Sequence, residues 1–585
     1  MSRVDSITIQ VISTNLSGIV QEMQQSLFRT GYSTIIRESQ DASCAILDKY
    51  GRVVSQHVVL PLHTGAFPAT IQGLLERYKY EDIYEGDAFL VNHPYYGGSP
   101  HASDMAIVTP VFYQGELVGF CANIAHKSDI GGTVPGSGSG SAREIYHEGL
   151  HLPPIRYIHR YKPIVELEQV IRSNSRTPEL VIGDINGQIG ANRVGERRLA
   201  ELIAKFNLDT VLAVYDELFD YTEKKIREEL KKWPDGVYKG EGWIDNDGIL
   251  LDQKIRIAVS IEKTGDRILF DFTASDPQSI GPANIRPPLV KAACYYCLIA
   301  WIDPQLPIND GLARVVETKF ASRSVLNPEM PAPVNSYIST AHIVVESVLA
   351  ALGHNVPGKQ IAGSCGSGAI ILGGGGGKDG NRKQYVQYEI FGGGMGARSG
   401  RDGVSGTTVH VSNGRTAPIE IIESEFPVEV VRFELLQDSC GAGEFRGGLG
   451  YVREYRILDR ETRCSMRSDK HEVPPFGALK GRNAQAAGLI INPETAEEKR
   501  MPSRFGDARL KYGDVVRVVR PGGGGLGDPL LRLPQKVLED VLDGYISKDA
   551  ALHEYGVALV CENDAWRVDE QETAKLRASK AAVLA

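Results

Sequence analysis

The sequence predicts a large α+β protein with several lobes: a mixed α/β N-terminal lobe, a helical middle section and a β-rich C-terminal lobe. Its 585 residues exceed what one hydrophobic core usually supports, so about two to four packed lobes are expected. Helical and strand-like periodicities alternate in the first part of the chain, whereas period-two alternation prevails later. The predicted parts are residues 1–165 (α/β), 166–235 (helical), 236–415 (mixed α/β with glycine-rich loops), 416–530 (β-rich) and 531–585 (helical tail).

The N-terminal lobe is predicted to combine helices with one sheet. Asp5 is a suitable N-cap for an amphipathic helix that runs to about Thr30 and ends at Gly31. A second helix is predicted over residues 66–78. Alternating apolar positions and β-favouring residues predict strands over residues 44–47, 53–56, 88–92, 105–113 and 117–125.

The rest of the chain alternates between helices and strands. Residues 165–233 are predicted to be mostly helical, with Pro178 at a helix start. Strands at 254–263 and 267–273 are predicted to form a hairpin. Further helices are predicted over residues 289–302, over 340–352 with an end at Gly353, and within 534–556 around Gly544.

A run of glycines, Gly373 to Gly377, precedes Lys378-Asp379-Gly380. It resembles a phosphate-binding loop only superficially, because the Walker spacing is missing and the lysine is followed by aspartate rather than serine or threonine. The run therefore predicts the tip of a hairpin. The sequence contains no nucleotide-binding motif.

The composition excludes several classes of protein. A formal net charge of −9 and an isoelectric point near 5.9 disfavour nucleic-acid binding. No apolar run approaches the roughly 20 residues needed to cross a membrane, and the N-terminus lacks a signal-peptide layout. Eight scattered cysteines indicate a reduced, cytoplasmic protein. Cys294 and Cys297 have C-x-x-C spacing inside an apolar helical segment, which favours packing over a redox or zinc role.

Polar side chains near residue 100 lie at the ends of predicted strands. His101 and Asp104 are three residues apart, and His126 follows at the end of the strand pair that returns to the same edge. Asp41 precedes the first strand and could supply a second carboxylate. Neutral imidazoles with carboxylates suit zinc, manganese or iron. The N-terminal lobe is therefore predicted to carry a divalent-metal site.

Other interpretations of these residues remain open. A His-x-x-Asp spacing is most often a surface pair or a pair beside a site rather than a ligand set. His126, which is followed by Lys127, could simply cap a loop. His63 has the same ambiguity.

Ordered motifs run along nearly the whole chain. They are Asn92-His93-Pro94-Tyr95-Tyr96-Gly97-Gly98, His101-x-x-Asp104, Ala125-His126-x-x-Asp129-Ile130-Gly131-Gly132, Glu148-Gly149, Asn174-x-Arg176-x-Pro178, Gly183-Asp184 with Gln188, Asn309-Asp310-Gly311, Phe445-Arg446-Gly447-Gly448, Pro521 to Pro529 and Asp543 to Ser547. In this order they resemble the hydantoinase B/oxoprolinase family, whose members are components of ATP-dependent hydantoin and lactam hydrolases and of acetone-type carboxylases. The family often has Asn-Asp-Pro at residues 92–94 and Ala-His-His at residues 125–127, where this chain has Asn-His-Pro and Ala-His-Lys.

The resemblance implies a metal centre and a partner. The implied metal ligands are Asp41, His101, Asp104 and His126, with zinc as the first expectation and manganese or iron as alternatives. An ATP-binding hydantoinase A-type subunit with an actin/hexokinase-like fold is the implied partner in a hetero-oligomer, such as paired heterodimers. The candidate catalytic residues are Asp129, His93 and Glu148. Asp129 could orient His126, accept a proton or be structural, and His93 could line the pocket rim or be structural.

The implied activity is the opening of a small cyclic amide, a hydantoin or a lactam. The partner would phosphorylate the amide oxygen, and water with its pKa lowered by the metal from 15.7 towards about 7 would attack the activated carbon. Groups that could bind the phosphate are the amides of 97–98 and 131–132 and the side chains of Arg143, Arg176 and Arg398. A component of an ATP-dependent ketone carboxylase and a non-catalytic scaffold for the ATPase are the alternatives.

Overall fold

The computed structural model describes residues 4–57, 59–376 and 382–584. The helices in these ranges are α1 (Ser6–Thr30), α2 (Thr34–Arg37), α3 (His63–Leu75), α4 (Pro94–Gly97), α5 (Val165–Ser173), α6 (Pro178–Phe206), α7 (Leu208–Leu230), α8 (Pro287–Ile302), α9 (Tyr337–Asn355), α10 (Ile419–Glu425), α11 (Pro534–Leu542), α12 (Lys548–His553) and α13 (Glu570–Leu584). The strands are β1 (Ala42–Asp48), β2 (Val53–His57), β3 (Ala88–Val91), β4 (Asp104–Tyr113), β5 (Glu116–His126), β6 (Ile155–His159), β7 (Lys162–Pro163), β8 (Gly236–Ile244), β9 (Ile255–Thr264), β10 (Arg267–Asp271), β11 (Val316–Lys319), β12 (Gly368–Gly376), β13 (Arg382–Phe391), β14 (Val428–Leu435), β15 (Tyr451–Ile457), β16 (Glu461–Arg467), β17 (Gly488–Ile491), β18 (Lys499–Met501), β19 (Arg504–Lys511), β20 (Val515–Arg520), β21 (Leu559–Glu562) and β22 (Ala565–Val568).

Over the described ranges the strands form five sheets, which confirms the predicted α+β class. The N-terminal sheet has seven strands in the order β2-β1-β5-β4-β3-β6-β7. Two four-stranded sheets follow, β11-β10-β9-β8 and β13-β12-β16-β19, and then a five-stranded sheet, β14-β15-β20-β17-β18. A short pair, β21-β22, lies near the C-terminus. Most of the later strands thus belong to the β-rich C-terminal part of the chain.

The seven-stranded sheet is covered on both faces. Helices α1, α6 and α7 pack on one face in a shared apolar core. On the opposite face, α3, α8 and α9 form a second core that continues onto β8, β9 and β10. Because both faces are covered, β1 is buried along its whole length. Polar groups at the ends of these central strands are therefore enclosed by helices and loops.

Helix α1 shows how local sequence specifies an element. The Asp5 side chain accepts hydrogen bonds from the backbone N–H groups of Ile7 and Thr8, as expected of an N-cap. Apolar residues at helical spacing, including Leu16, Val20 and Leu27, are buried against the sheet. The predicted helix over residues 5–30 is confirmed.

Two predicted helix boundaries are wrong. Helix α3 begins at His63 rather than at residue 66. A Cβ at Gly65 would lie 1.9 Å from the carbonyl oxygen of Pro288, so this glycine permits the close packing of α3 on α8 that stabilises the early start. Helix α9 continues past Gly353 to Asn355, because its buried face outweighs the low helix propensity of one glycine.

Two further sequence features concern packing and the glycine run. Cys294 and Cys297 are buried free thiols on α8, as the packing interpretation predicted. Strands β12 and β13 pair antiparallel up to Gly376 and Arg382, and the predicted hairpin tip at 377–381 lies outside the described residues. No helix within the described ranges is both long and apolar enough to span a membrane.

Candidate metal centre

Strand register brings the predicted ligands to one edge of the seven-stranded sheet. β5 lies between β1 and β4, and its last residue, His126, is the register partner of Asp104, the first residue of β4. Asp41 immediately precedes β1, and its carbonyl accepts a hydrogen bond from the backbone N–H of His126 at 3.2 Å. His101 belongs to the turn before β4, because the N–H of Asp104 donates to its carbonyl at 3.1 Å. Side chains from three separate segments therefore meet at this edge.

The side-chain atoms of His101, Asp104 and His126 are spaced like the ligands of one ion. Nε2 of His101 lies 3.3 Å from Nδ1 of His126 and 3.3 Å from Oδ2 of Asp104. Oδ1 of Asp104 is 3.1 Å from Nδ1 of His126. Tetrahedral coordination with bonds of about 2.1 Å separates ligand atoms by about 3.4 Å. All three residues are buried, so the trio is a geometrically suitable metal site.

Asp41 and His63 extend this group. Ligand-type atoms of Asp41, His63 and Asp104 all lie within 4.8 Å of one another, so Asp104 belongs to two overlapping trios. Nδ1 of His63 also forms a hydrogen bond of 2.9 Å with Oγ of Ser43. The structure thus places all four predicted ligands at one centre, and it adds His63, whose role the sequence left ambiguous.

The amide of Asn335 fixes the orientation of His101. Its Oδ1 accepts a hydrogen bond from Arg467, and its Nδ2 donates to the carbonyl of Ser137, so the amide has one consistent assignment. Oδ1 also lies 2.7 Å from Nδ1 of His101, which must carry the hydrogen of that contact. A neutral His101 then has its lone pair on Nε2, the atom that faces the other ligands.

Replacing Asn335 with alanine is expected to weaken metal binding by about 10- to 100-fold, because the His101 ring loses the partner that sets its tautomer. Titration of the metal-free variant with zinc against a competing chelator measures this change. Asn327→Ala is the control, since this partly buried amide bonds the carbonyl of Ala321 at 3.4 Å, away from the centre. Equal zinc affinity in Asn335→Ala and the wild type would refute the positioning role.

The charges at the centre suit a divalent cation. Burial lowers the pKa of His126 to about 4, so its ring is neutral and can act as a ligand. Burial and the charge of Asp104 raise the pKa of Asp41 well above its usual range. Burial also opposes ionisation of Asp104, but the neighbouring His101 and His126 rings outweigh it and hold its pKa well below its usual range. In the described residues no N–H donates to the Asp41 carboxylate, a deficit that a bound cation would remove.

Residues from distant parts of the chain enclose the centre. The hydroxyl of Tyr337, at the start of α9, donates to Oδ2 of Asp104 at 3.0 Å. The ring of Tyr388, in β13, lies 4.4 Å from the ring of His126. No local sequence pattern pointed to either tyrosine, because only the packing of later elements onto the N-terminal sheet brings them here.

Asp129, a predicted catalytic residue, holds a loop. Its carboxylate accepts hydrogen bonds from the backbone N–H groups of Gly131 at 3.0 Å and Gly136 at 2.8 Å. It also accepts from the backbone N–H of Arg176 at 2.8 Å and from the guanidinium of the same residue at 3.0 Å. Among the described residues no hydrogen bond joins Asp129 to His126. The structure therefore favours the structural interpretation and does not support an orienting contact.

Glu148, a second predicted catalytic residue, supports the segment that carries Asn335. Its Oε1 accepts hydrogen bonds from the backbone N–H groups of Val334 and Asn335, both at 2.8 Å. Burial raises the pKa of Glu148 to about 8, so the carboxyl group is largely protonated at neutral pH. Glu148 thus acts on the centre indirectly, through Asn335.

His93, the third predicted catalytic residue, caps α4. Its Nδ1 accepts hydrogen bonds from the backbone N–H groups of Tyr95 at 3.2 Å and Tyr96 at 3.3 Å. Aspartate, common at this position in the family that the motifs resemble, is a strong N-cap for the same reason. This geometry favours the structural interpretation of His93.

The chain belongs to the hydantoinase B/oxoprolinase family. The sequence profile of that family matches residues 5–529, which confirms the resemblance inferred from the motifs. The B-type component of a putative D-/L-hydantoinase from Pseudomonas sp. (strain NS671) is 35% identical, with 99% of this chain and 98% of that protein aligned.

Two solved structures share the fold. The crystal structure of an ATP-dependent caprolactamase from Pseudomonas jessenii has a TM-score of 0.89 at 29% identity, covering 98% of this chain and 100% of that chain. Nucleotide-free acetone carboxylase has a TM-score of 0.90 at 19% identity, covering 99% of this chain and 83% of that chain. At that identity, the second likeness shows the fold alone.

Proposed function

We propose that this chain is the metal-dependent hydrolytic component of a two-subunit, ATP-dependent cyclic amidase that opens a hydantoin or lactam ring. The observation that carries the proposal is the convergence of four buried side chains with ligand-type spacing, Asp41, His101, Asp104 and His126. Support comes from the relatives, one named as the B-type component of a hydantoinase and one as an ATP-dependent caprolactamase.

The reaction requires activation before hydrolysis. Amides resist water because the nitrogen lone pair delocalises into the carbonyl. An ATP-binding hydantoinase A-type partner would phosphorylate the amide oxygen, which accords with the lack of a nucleotide-binding motif in this sequence. When bound, a divalent metal, with zinc as the first expectation, supplies Lewis acidity that lowers the pKa of water towards about 7.

The side chains of this chain would position and shield the reacting groups. Asn335 holds the His101 ring with its Nε2 lone pair turned inward. The hydroxyl of Tyr337 holds the Asp104 carboxylate. The Tyr388 ring covers His126, and the burial of the whole group excludes bulk water. A water-poor centre strengthens the electrostatic contacts and protects a phosphorylated intermediate from unproductive hydrolysis.

Reconstitution tests the proposal. The chain purified alone is expected to contain about one divalent metal ion and to hydrolyse no ATP. With its ATPase partner it is expected to open one of a panel of rings, such as 5-oxoproline, hydantoins and lactams, at the expense of ATP, and a chelator is expected to abolish turnover.

Each alternative function gives a different result in the same assay. Turnover that depends on bicarbonate would identify a ketone carboxylase instead. A chain without stoichiometric metal, whose complex is unaffected by Asp104→Ala, would be a scaffold. ATP hydrolysis by the isolated chain would contradict the proposed division of labour between the two proteins.

A further inference from the structure

Arg467 is a buried arginine beside the centre that the sequence analysis did not identify. It ends β16, and the residue is only 3% exposed. Its Nη1 donates to both the backbone carbonyl and the Oδ1 of Asn335 and lies 3.4 Å from Nδ1 of His101. The guanidinium lies 5.4 Å from the centroid of the Tyr388 ring, which also covers His126. Arg467 therefore borders the same enclosed space as the metal ligands.

The guanidinium of Arg467 has donors that the described protein does not use. Its Nε is buried without a hydrogen-bond partner, and the hydrogen bonds found in the described ranges involve Nη1 alone. Burial lowers the pKa of Arg467 to about 10, which leaves the group charged at neutral pH. A buried cation with unpaired N–H groups is costly unless a ligand or water satisfies it.

The other deeply buried arginines differ from Arg467 in their partners. Arg453 lies 3.0 Å from Glu389, and Arg504 lies 3.9 Å from Asp469. Arg520 donates to backbone carbonyls and to a serine hydroxyl through all three of its nitrogens. Within the described residues, no carboxylate lies within 4.0 Å of the Arg467 nitrogens. Arg467 is thus a buried cation without an ion-pair partner in that part of the chain.

The charge balance indicates what Arg467 binds. A divalent cation at the centre would balance the ionised carboxylates of Asp41 and Asp104, which leaves the positive charge of Arg467 uncompensated. An anionic group in the enclosed space would compensate it. The planar guanidinium donates parallel hydrogen bonds through Nε and one terminal nitrogen, a geometry that matches the oxygens of a phosphoryl group.

We propose that Arg467 is the anion-binding residue of this centre and that its Nε and Nη2 hold the phosphoryl oxygens of the activated substrate. This inference rests on the proposed function and names its substrate class, a phosphorylated amide. Nη1 stays on Asn335, so the same side chain joins the anion to the residue that orients His101. Lys127 is buried nearby, but its Nζ donates to Gln188 at 2.6 Å, so it is already engaged.

Phosphate titration tests the assignment. The full-length chain is loaded with zinc, and the affinity for inorganic phosphate is measured by calorimetry for the wild type, R467Q and R467K. R467Q is expected to bind phosphate at least about tenfold more weakly, because a charge-assisted pair of hydrogen bonds is lost. R467K keeps the charge but not the planar fork, and an approximately three- to tenfold loss is expected. R463Q is the control, since Arg463 lies on β16, is paired with Asp507 and is expected to change phosphate affinity less than about twofold.

The outcomes separate this inference from the proposed function. A folded, zinc-loaded R467Q that binds phosphate like the wild type overturns the assignment. If R467Q does not fold, R467K decides, and wild-type affinity in that variant overturns it. A wild-type chain that takes up no zinc contradicts the proposed function instead, and the same titration of metal-free protein still shows whether phosphate binding depends on Arg467.

Discussion

Replacing Asp104 with asparagine is expected to remove stoichiometric metal from the chain and to abolish ring opening by the assembled complex. Asp104 is the residue common to both trios of ligand-type atoms. Asparagine keeps the volume and still offers an oxygen to the Tyr337 hydroxyl, but it removes the negative charge that pairs with the cation. Because changes that only touch a ligand cost up to about 100-fold, loss of this ligand is expected to cost at least that much in metal affinity.

Metal content after dialysis, measured by elemental analysis, checks this expectation. Asp87→Asn is the matched control, because Asp87 is an equally buried aspartate of the same lobe that pairs with Arg156 and His159 rather than with the centre. The control is expected to keep its metal even if its stability falls. Retention of one metal ion per chain in Asp104→Asn, with normal turnover, would show that the ligand assignment is wrong.

The position of the centre could be predicted because its main residues lie on adjacent strands. Alternating apolar residues predicted β4 and β5, and a short turn between them makes them neighbours in the sheet. Residues at the outer ends of such a hairpin must lie at the same edge, which is why Asp104 and His126 could be placed together. Asp41 followed from the strand that begins directly after it.

The surroundings of the centre could not be predicted, because they depend on packing between segments that are far apart in sequence. Asn335 and Tyr337 reach the centre from α9 and the loop before it, and Tyr388 and Arg467 reach it from the β12–β13–β16 sheet. A single arginine in an alternating strand usually predicts a solvated face. Only the contact between two sheets shows that the Arg467 side chain points inward.

The roles of the predicted catalytic residues show a related limit. The residue types of Asp129, His93 and Glu148 allow acid–base chemistry, and sequence alone does not show what each side chain contacts. In the structure, all three accept hydrogen bonds from backbone N–H groups of loops or of a helix start. The same motif residues therefore serve to shape the loops around the centre.

Replacing Asp129 with alanine is expected to loosen the loop beside the centre and to destabilise the chain by about 3–5 kcal/mol, because it leaves a guanidinium and three backbone N–H groups without their acceptor. Hydrogen exchange at the amides of Gly131 and Gly136 is the sharpest measurement, since both amides donate to Asp129 itself. Their exchange is expected to accelerate strongly in the variant, together with a lower melting temperature.

Asp129→Asn and Arg176→Gln separate a structural role from a chemical one. Asparagine keeps one acceptor oxygen, so it is expected to protect part of the loop and to retain part of the activity. Arg176→Gln removes only the charged partner, which is 26% exposed, and is expected to reproduce a smaller share of the instability. If Asp129→Ala kept wild-type exchange at both glycine amides and lost only turnover, Asp129 would instead be a proton acceptor, because a purely structural carboxylate cannot be removed without freeing the N–H groups that it binds.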